Sequence, residues 1–279
     1  MRMLFFVEVL MASFAAGVLG SLMGIGGGLL LVPFLTLVMK VKLHYAIGAS
    51  LVSVIATSSG AGVAYLREKL LNLRLGLVLN TATCGGAVVG ALIAGIISES
   101  VLSVIFGLVL LHSAYLMFRT RNVELPPEGS GEGTDSLRLH SSYFDSALNR
   151  TVSYDVHRLK GALVGMFGAG VLSGLLGIGA GAFKVLVMDT LMKLPIKVST
   201  TTSNFMLGVT AAASTGMYFA RGDIHPVIAA PVALGILAGA TVGARLLQVL
   251  SGTLIRKIFV VILLITGVQM IWKGIEGRF

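Results

Sequence analysis

Residues 17–28 read GVLGSLMGIGGG and residues 170–181 read GVLSGLLGIGAG: one apolar, glycine-punctuated phrase written twice, 153 positions apart. Eight of the twelve positions are identical, and the register then runs on without a gap. Ser50 falls on Ser203, Thr57 on Thr210, Tyr65 on Tyr218, Gly86-Ala87 on Gly239-Ala240, Gly90-Ala91 on Gly243-Ala244, and Ser98 on Ser251. The chain is therefore read as a duplicated unit, with a glycine run inside the first apolar segment of each copy. Duplicated halves whose hydrophobic segments are interrupted at matching places point to a transporter, with its binding site at the interruptions.

The surrounding sequence sets the medium in which that unit folds. Only 12% of residues are charged and 56% are hydrophobic, against about 25% charged in a soluble domain; the mean hydropathy is +0.94. Apolar runs near 4–38, 44–66, 75–97, 101–118, 161–192, 198–220, 226–249 and 254–273 are each long enough to approach or exceed a hydrocarbon core of about 30 Å. The expectation is an all-α polytopic membrane protein with about eight transmembrane segments in two homologous repeats. Nothing shows the ten-residue alternation of a membrane β-barrel. The repeats are placed at 1–118 and 161–279, joined by a polar linker at 119–160.

The net charge of +9 does not indicate a nucleic-acid partner. The excess sits in short loops and at segment ends, as in the bias that orients membrane proteins, with no basic stripe interleaved with aromatics. Cys84 is alone in an apolar stretch, which excludes an intrachain disulfide. The first segment has the basic start and small residues of a signal peptide, but Glu8 interrupts it and seven further apolar segments follow, so a retained helix is expected. Within the linker, Pro126 to Gly133 has the composition of a flexible segment. The part from Tyr143 to Leu159 is expected to form a short interfacial helix.

Two topologies fit. Segments 4–38 and 161–192 exceed one crossing, so each is either a long tilted helix or a re-entrant hairpin broken at its glycines. The first option gives parallel halves with four crossings each; the second gives inverted halves with three. Lysine and arginine counts do not choose between them, because both place 13 on the cytoplasmic side and 6 outside, with Lys184 and Arg245 excluded. Both place the linker, and so the largest polar segment, in the cytoplasm of a cell-membrane protein.

The glycines carry two readings of their own. Glycine costs about 1 kcal/mol in a helix interior, so the clusters Gly24, Gly26, Gly27, Gly28 and Gly177, Gly179, Gly181 favour an unwound stretch. The helix that follows would then begin in mid-membrane with free N–H groups, a ready anion site. Alternatively, the spacing of four at Gly20, Gly24 and Gly28, and at Ser173, Gly177 and Gly181, is the small-xxx-small signature of close helix packing. Gly235, Gly239 and Gly243 share that spacing with no sign of a break. Gly26 and Gly179, off that face, favour the break.

The phrase GxxxGIGGGxxxxP at 20–33, its repeat SGLLGIGAGAFKV at 173–185 and the segment LPIKVSTTTSNF at 194–205 resemble the TauE/SafE family of membrane permeases. The resemblance covers both halves, all of the chain but the linker. It implies a carrier of small anions, notably sulfite, sulfoacetate and other organosulfur or carboxylate compounds, secondary-active and exporting. It does not identify which anion.

The two copies differ at positions suited to chemistry. Lys184 replaces Leu31, Asp189 replaces Thr36, Arg245 replaces Leu92, and Thr200 to Asn204 replace Ile47 to Leu51. A cation inside a membrane helix costs at least about 2.5 kcal/mol and usually faces a cavity or a partner. Lys184 is placed to supplement the N–H groups of a half-helix, or else to pair with Asp189 or snorkel. Arg245 offers planar donors to a sulfonate or carboxylate, or snorkels from the end of its segment. Thr201, Ser203 and Asn204 either orient substrate oxygens or cap their helix, and Ser50 is the first copy's weaker counterpart.

The expected substrate site is therefore Gly26, Gly27, Gly28, Ser50, Gly179, Ala180, Gly181, Lys184, Thr201, Ser203, Asn204 and Arg245, with no metal or cofactor. His112 is read as packing and His225 as a loop residue. No metal set, acidic pair or nucleophile–base pair occurs in the apolar segments, which argues against an enzyme. The partners are a small anion and the lipid bilayer; a homo-oligomer is left open. An anion channel and a non-transporting scaffold are the alternatives to the carrier.

Overall fold

The computed structural model describes residues 2–23, 27–67, 71–119, 139, 141–145, 150–246 and 252–277. Among them the first half supplies α1 (Arg2–Met23), α2 (Gly28–Pro33), α3 (Leu43–Arg67), α4 (Leu73–Ala94) and α5 (Glu99–Arg119). The second supplies α6 (Leu159–Leu176), α7 (Gly181–Thr190), α8 (Ile196–Ala220), α9 (Pro226–Leu246) and α10 (Gly252–Glu276). A π-helical turn, Phe34–Val38, extends α2 past Pro33. Helices α4, α5, α6 and α9 contain stretches long and apolar enough to cross a membrane.

Both long first segments break at their glycines and turn back. A methyl on Gly27 would touch the carbonyl oxygen of Ala16 at 3.3 Å. A continuous helix would hold residues eleven apart at about 16 Å, so the chain has reversed and α2 starts alongside the middle of α1. In the second half Gly165 faces Val187, and the His157 N–H donates to the Met192 carbonyl at 3.4 Å, closing the α6–α7 hairpin at its base. The reversal uses left-handed backbone at Gly177 (φ 68°), Gly179 (φ 72°) and Ala180 (φ 50°). The first two need a residue without a Cβ; alanine in that region is strained. The returning segments end alike too, on left-handed Lys40 (φ 54°) and Lys193 (φ 55°), again 153 positions apart.

The other glycines follow the packing alternative. Gly86 and Gly90 on α4 lie against the carbonyls of Phe167 and Val171 on α6, while Gly170 and Gly174 on α6 lie against those of Thr83 and Ala87. Gly235, Gly239 and Gly243 on α9 sit in the same way on α1, with Gly17 of α1 against Ile236. A side chain at these positions would collide with backbone, so close contact here substitutes for the hydrophobic drive that lipid does not supply. In both pairs the residue numbers rise together, so the paired helices are parallel. Helices α5 and α10 are antiparallel: Gly107 meets Gly267, Gly274 meets Ser100, and the Ser103 hydroxyl donates to the Met270 carbonyl at 2.8 Å.

Each of these pairs joins one half to the other. So do the packings of α3 on α8, α3 on α9 and α4 on α8. Tracing the turns leaves, in each half, three helices that run from one face of the molecule to the other and one hairpin, so the halves run in opposite senses. The starts of α1, α3, α5 and α9 lie on one face with the end of α10. The starts of α4, α6, α8 and α10 lie on the other, with the linker.

The linker departs from its expected helix. Residues Ser141–Asp145 (β1) and Arg150–Tyr154 (β2) pair as an antiparallel hairpin, with Tyr143 opposite Val152 and Ser141 opposite Tyr154. Along β2 Thr151 and Ser153 are exposed while Val152 is half-buried and Tyr154 buried, the period-two pattern of a strand, and Tyr143 of β1 is buried beside them. With Leu139 and Val156 the two tyrosines cluster with Leu75, Leu79, Met188, Met192, Val198 and Met206 at the linker-side ends of α4, α7 and α8. Asn72 fixes the hairpin, its amide donating to the Leu139 carbonyl at 3.0 Å and to the Tyr154 hydroxyl at 3.1 Å. Burial pushes that hydroxyl above its usual range, so it stays protonated.

Candidate functional site

The two half-helix starts meet in the middle of the molecule, and the residues between them come from four elements. Helix α3 places Ser50 and Val54 there, and α8 places Ser203 and Leu207 at the corresponding positions. The Ser50 hydroxyl donates to the Gly177 carbonyl at 2.7 Å, across the two halves. The Ser203 hydroxyl donates to the Gly181 carbonyl at 3.2 Å. Gly28 lies against Ser50, Val54 and the Gly177 carbonyl, and Gly179 against Val54 and Leu207. All of these residues are buried. The serines therefore pin the hairpin turns, and the missing side chains at Gly28 and Gly179 let the turns reach α3 and α8.

Helix α7 opens at this point. Its first intrahelical bond runs from the Lys184 N–H to the Ala180 carbonyl at 3.1 Å, so the N–H groups of residues 181–183 have no partner within the helix. Lys184 follows directly and is fully buried. Its ammonium donates to the Thr210 hydroxyl at 2.8 Å, and no ion pair to a carboxylate forms among the described residues. It neither snorkels nor pairs with Asp189.

Around Lys184 lies a polar group from α4 and α8. Thr210 donates to the Met206 carbonyl at 2.7 Å and lies 3.4 Å from both the Asn80 Oδ1 and the Thr83 Oγ1. Thr83 in turn bonds the Asn80 Oδ1 at 3.1 Å. The Asn80 Nδ2 is buried with no hydrogen-bond partner.

The expected site is thus assembled in part. Gly27, Gly28, Ser50, Gly179, Ala180, Gly181, Lys184 and Ser203 converge at or beside the half-helix starts. Thr201 lies on α8 with its hydroxyl on its own helix's Lys197 and Val198 carbonyls, at 2.9 and 3.1 Å. Asn204 contributes its backbone carbonyl to the Ser58 hydroxyl at 2.7 Å. Gly26 lies outside the described residues. Arg245 falls in the last turn of α9, and its side chain is likewise outside them. His112 stacks on Phe183 in the first turn of α7, ring centres 5.4 Å apart, and His225 meets Tyr45 edge-on at 5.6 Å. Asn80, Thr83 and Thr210 join the centre without belonging to the expected set. Two of them carry a sequence signal: Asn80 and Thr83 align with Ala233 and Ile236 in the repeat register. No group of three or more metal-ligating side chains occurs among the described residues.

Apolar helices folded round a buried polar centre, with two re-entrant half-helices meeting inside it, define a polytopic membrane protein of the transporter class. The chain belongs to the sulfite exporter TauE/SafE family, whose profile matches residues 9–270. It is 28% identical over 278 residues to the probable membrane transporter protein YunE of Bacillus subtilis (strain 168), covering 97% of this chain and 98% of that one. The probable membrane transporter protein YdhB of the same organism is 23% identical over 264 residues, 95% of this chain and 99% of its own. The probable membrane transporter protein MJ0441 of Methanocaldococcus jannaschii is 23% identical over 278 residues, 94% of each. No solved structure matches the chain significantly.

Proposed function

We propose that this protein is a secondary-active carrier that exports a small organic or inorganic anion, such as sulfite, sulfoacetate or another sulfonate or carboxylate. The observation that carries this reading is Lys184. It is a fully buried ammonium with no ion-paired carboxylate among the described residues, set directly behind N–H groups that have no partner within their half-helix. A lone cation in that place is costly, and an entering anion offsets the cost. The N–H groups and the positive end of the α7 dipole add donors aimed the same way. Gly27 and Gly28 bring the start of the second half-helix to the same centre. Ser50 and Ser203 hold both turns in place.

The two repeats, 1–118 and 161–279, rock against each other about the hairpin turns and open the centre to each face in turn. The cell membrane is the setting. The linker 119–160 lies in the cytoplasm, because the inverted arrangement puts 13 lysines and arginines on the linker face and 6 on the other. The family name makes sulfite the first substrate to try.

Thermal unfolding of the purified protein against sulfite, sulfoacetate, thiosulfate, sulfate, short carboxylates and chloride tests the reading. An anion at about 100 times its dissociation constant stabilises the fold by about 2.7 kcal/mol. A selective shift is expected in the wild type, and Lys184→Ala should abolish both that shift and counterflow of the same anion in proteoliposomes. Indifference of the wild type to every anion overturns the carrier.

A further inference from the structure

The polar group on α4 goes beyond the half-helix start. Lys184 has three N–H donors and gives one to Thr210. Asn80 is 4% exposed, and its Nδ2 carries two N–H donors with no acceptor. The three hydroxyl and amide oxygens between them are engaged with one another or with carbonyls: Thr210 with Met206, Thr83 with Leu79 and Asn80, and Asn80 Oδ1 with Thr83. In this arrangement two of the Lys184 N–H groups and both Asn80 amide N–H groups meet no acceptor among the described residues. A buried amide N–H without an acceptor costs roughly 1–3 kcal/mol, and here it stands one hydroxyl away from a buried cation. The pseudo-equivalent place in the repeat holds Leu31, Ala233 and Ile236, so the scaffold does not require these polar groups.

We infer that Asn80 and Lys184 form a two-donor subsite for an oxyanion, with Asn80 selecting anions that present two or more terminal oxygens over monatomic ones. This rests on the carrier reading and names its selectivity element. The Lys184 ammonium and the Asn80 side chain both meet the Thr210 hydroxyl, so in this subsite a carboxylate, sulfite or sulfonate would engage the two donors with separate oxygens. Chloride, a single centre, engages the ammonium alone. The Thr83 and Thr210 hydroxyls fix the amide plane and the ammonium and do not themselves select.

Thermal unfolding of the full chain with sulfite, acetate and chloride at matched ionic strength tests it, using the wild type, Asn80→Leu, Asn80→Asp and the milder Asn80→Ser. Loss of a hydrogen bond to a charged group predicts apparent sulfite affinity falling about 10- to 100-fold in Asn80→Leu and Asn80→Ser, with chloride affinity unchanged. Asn80→Asp, which places a carboxylate beside Lys184, should lose both anions. A merely structural asparagine lowers stability equally in both salts and leaves the sulfite-to-chloride preference intact; that result overturns the inference alone, as does wild-type sulfite affinity in all three variants. A wild type that responds to no anion overturns the carrier reading, and the subsite with it.

Discussion

Helices α2 and α7 occupy corresponding places in the two halves, and they have been put to different uses. Both start inside the molecule after a glycine break, both abut a serine of the following helix, and both give way to a left-handed lysine. Yet Leu31 of α2 lies fully buried in an apolar cluster with Leu35 and Ile236, while Lys184 of α7, at the same register, is bonded to Thr210 beside Asn80 and Thr83. The equivalent threonine of the first half, Thr57, donates to its own helix at Ser53, as Thr210 does at Met206. Scaffold and chemistry are therefore separable here. Duplication supplies two mirrored hairpins, and a few substitutions on α4 and α7 make one of them polar. Burying a single cation also avoids confining two like charges in one low-dielectric centre.

Exchanging the two half-helices' residues should break that comparison most severely in one direction. Leu31→Lys puts an ammonium where Ala233 and Ile236 offer no partner, at a cost of at least about 2.5 kcal/mol. The expected result is loss of folded protein in detergent, read by size exclusion and thermal unfolding; a folded variant of normal stability would mean that the halves are equally polar-tolerant. The reverse change, Lys184→Leu, should leave the unfolding midpoint unchanged or raised, because it removes an unpaired buried charge, while abolishing anion-dependent stabilisation. A midpoint lowered by several degrees would make Lys184 a structural residue. The smallest effects belong to the pins. Ser50→Ala removes the 2.7 Å bond that joins the halves and should cost about 1 kcal/mol; Ser203→Ala, losing a 3.2 Å bond within one half, should cost less. The opposite order would show that the turn of the second hairpin is held mainly from its own half.

Much of this arrangement is legible in the order of the residues. The off-face glycines Gly26 and Gly179 signal the breaks, and the mismatch of Lys184 with Leu31 signals the cation. Packing glycines and breaking glycines turn out to coexist: Gly177 and Gly179 turn the chain, while Gly86, Gly90, Gly170 and Gly174 admit a neighbouring backbone. The direction of the repeats stays hidden because lysine and arginine counts come out equal for both topologies. Asn80 is marked in the sequence only by its mismatch with Ala233, because it lies about a hundred residues from Lys184 and only tertiary packing brings them together. Length disguises the linker hairpin. Tyr143, Val152 and Tyr154 are the aromatic and β-branched residues of strands, but two five-residue stretches look like part of a helix until their alternation is followed.

The partnering of α1 with α9 has a consequence for how the chain is made. The face of α1 that receives Gly235, Gly239 and Gly243 has no counterpart in its own half. About two hundred residues separate Met23 from Pro226, and at about 5–20 residues per second synthesis takes roughly 10–40 s to cover them. Throughout that interval the first helix waits in the bilayer with a groove of carbonyls and small side chains open to lipid. Assembly therefore concludes at the carboxyl-terminal helices, and a truncation after the first half strands α1, α4 and α5 without the helices they pack on.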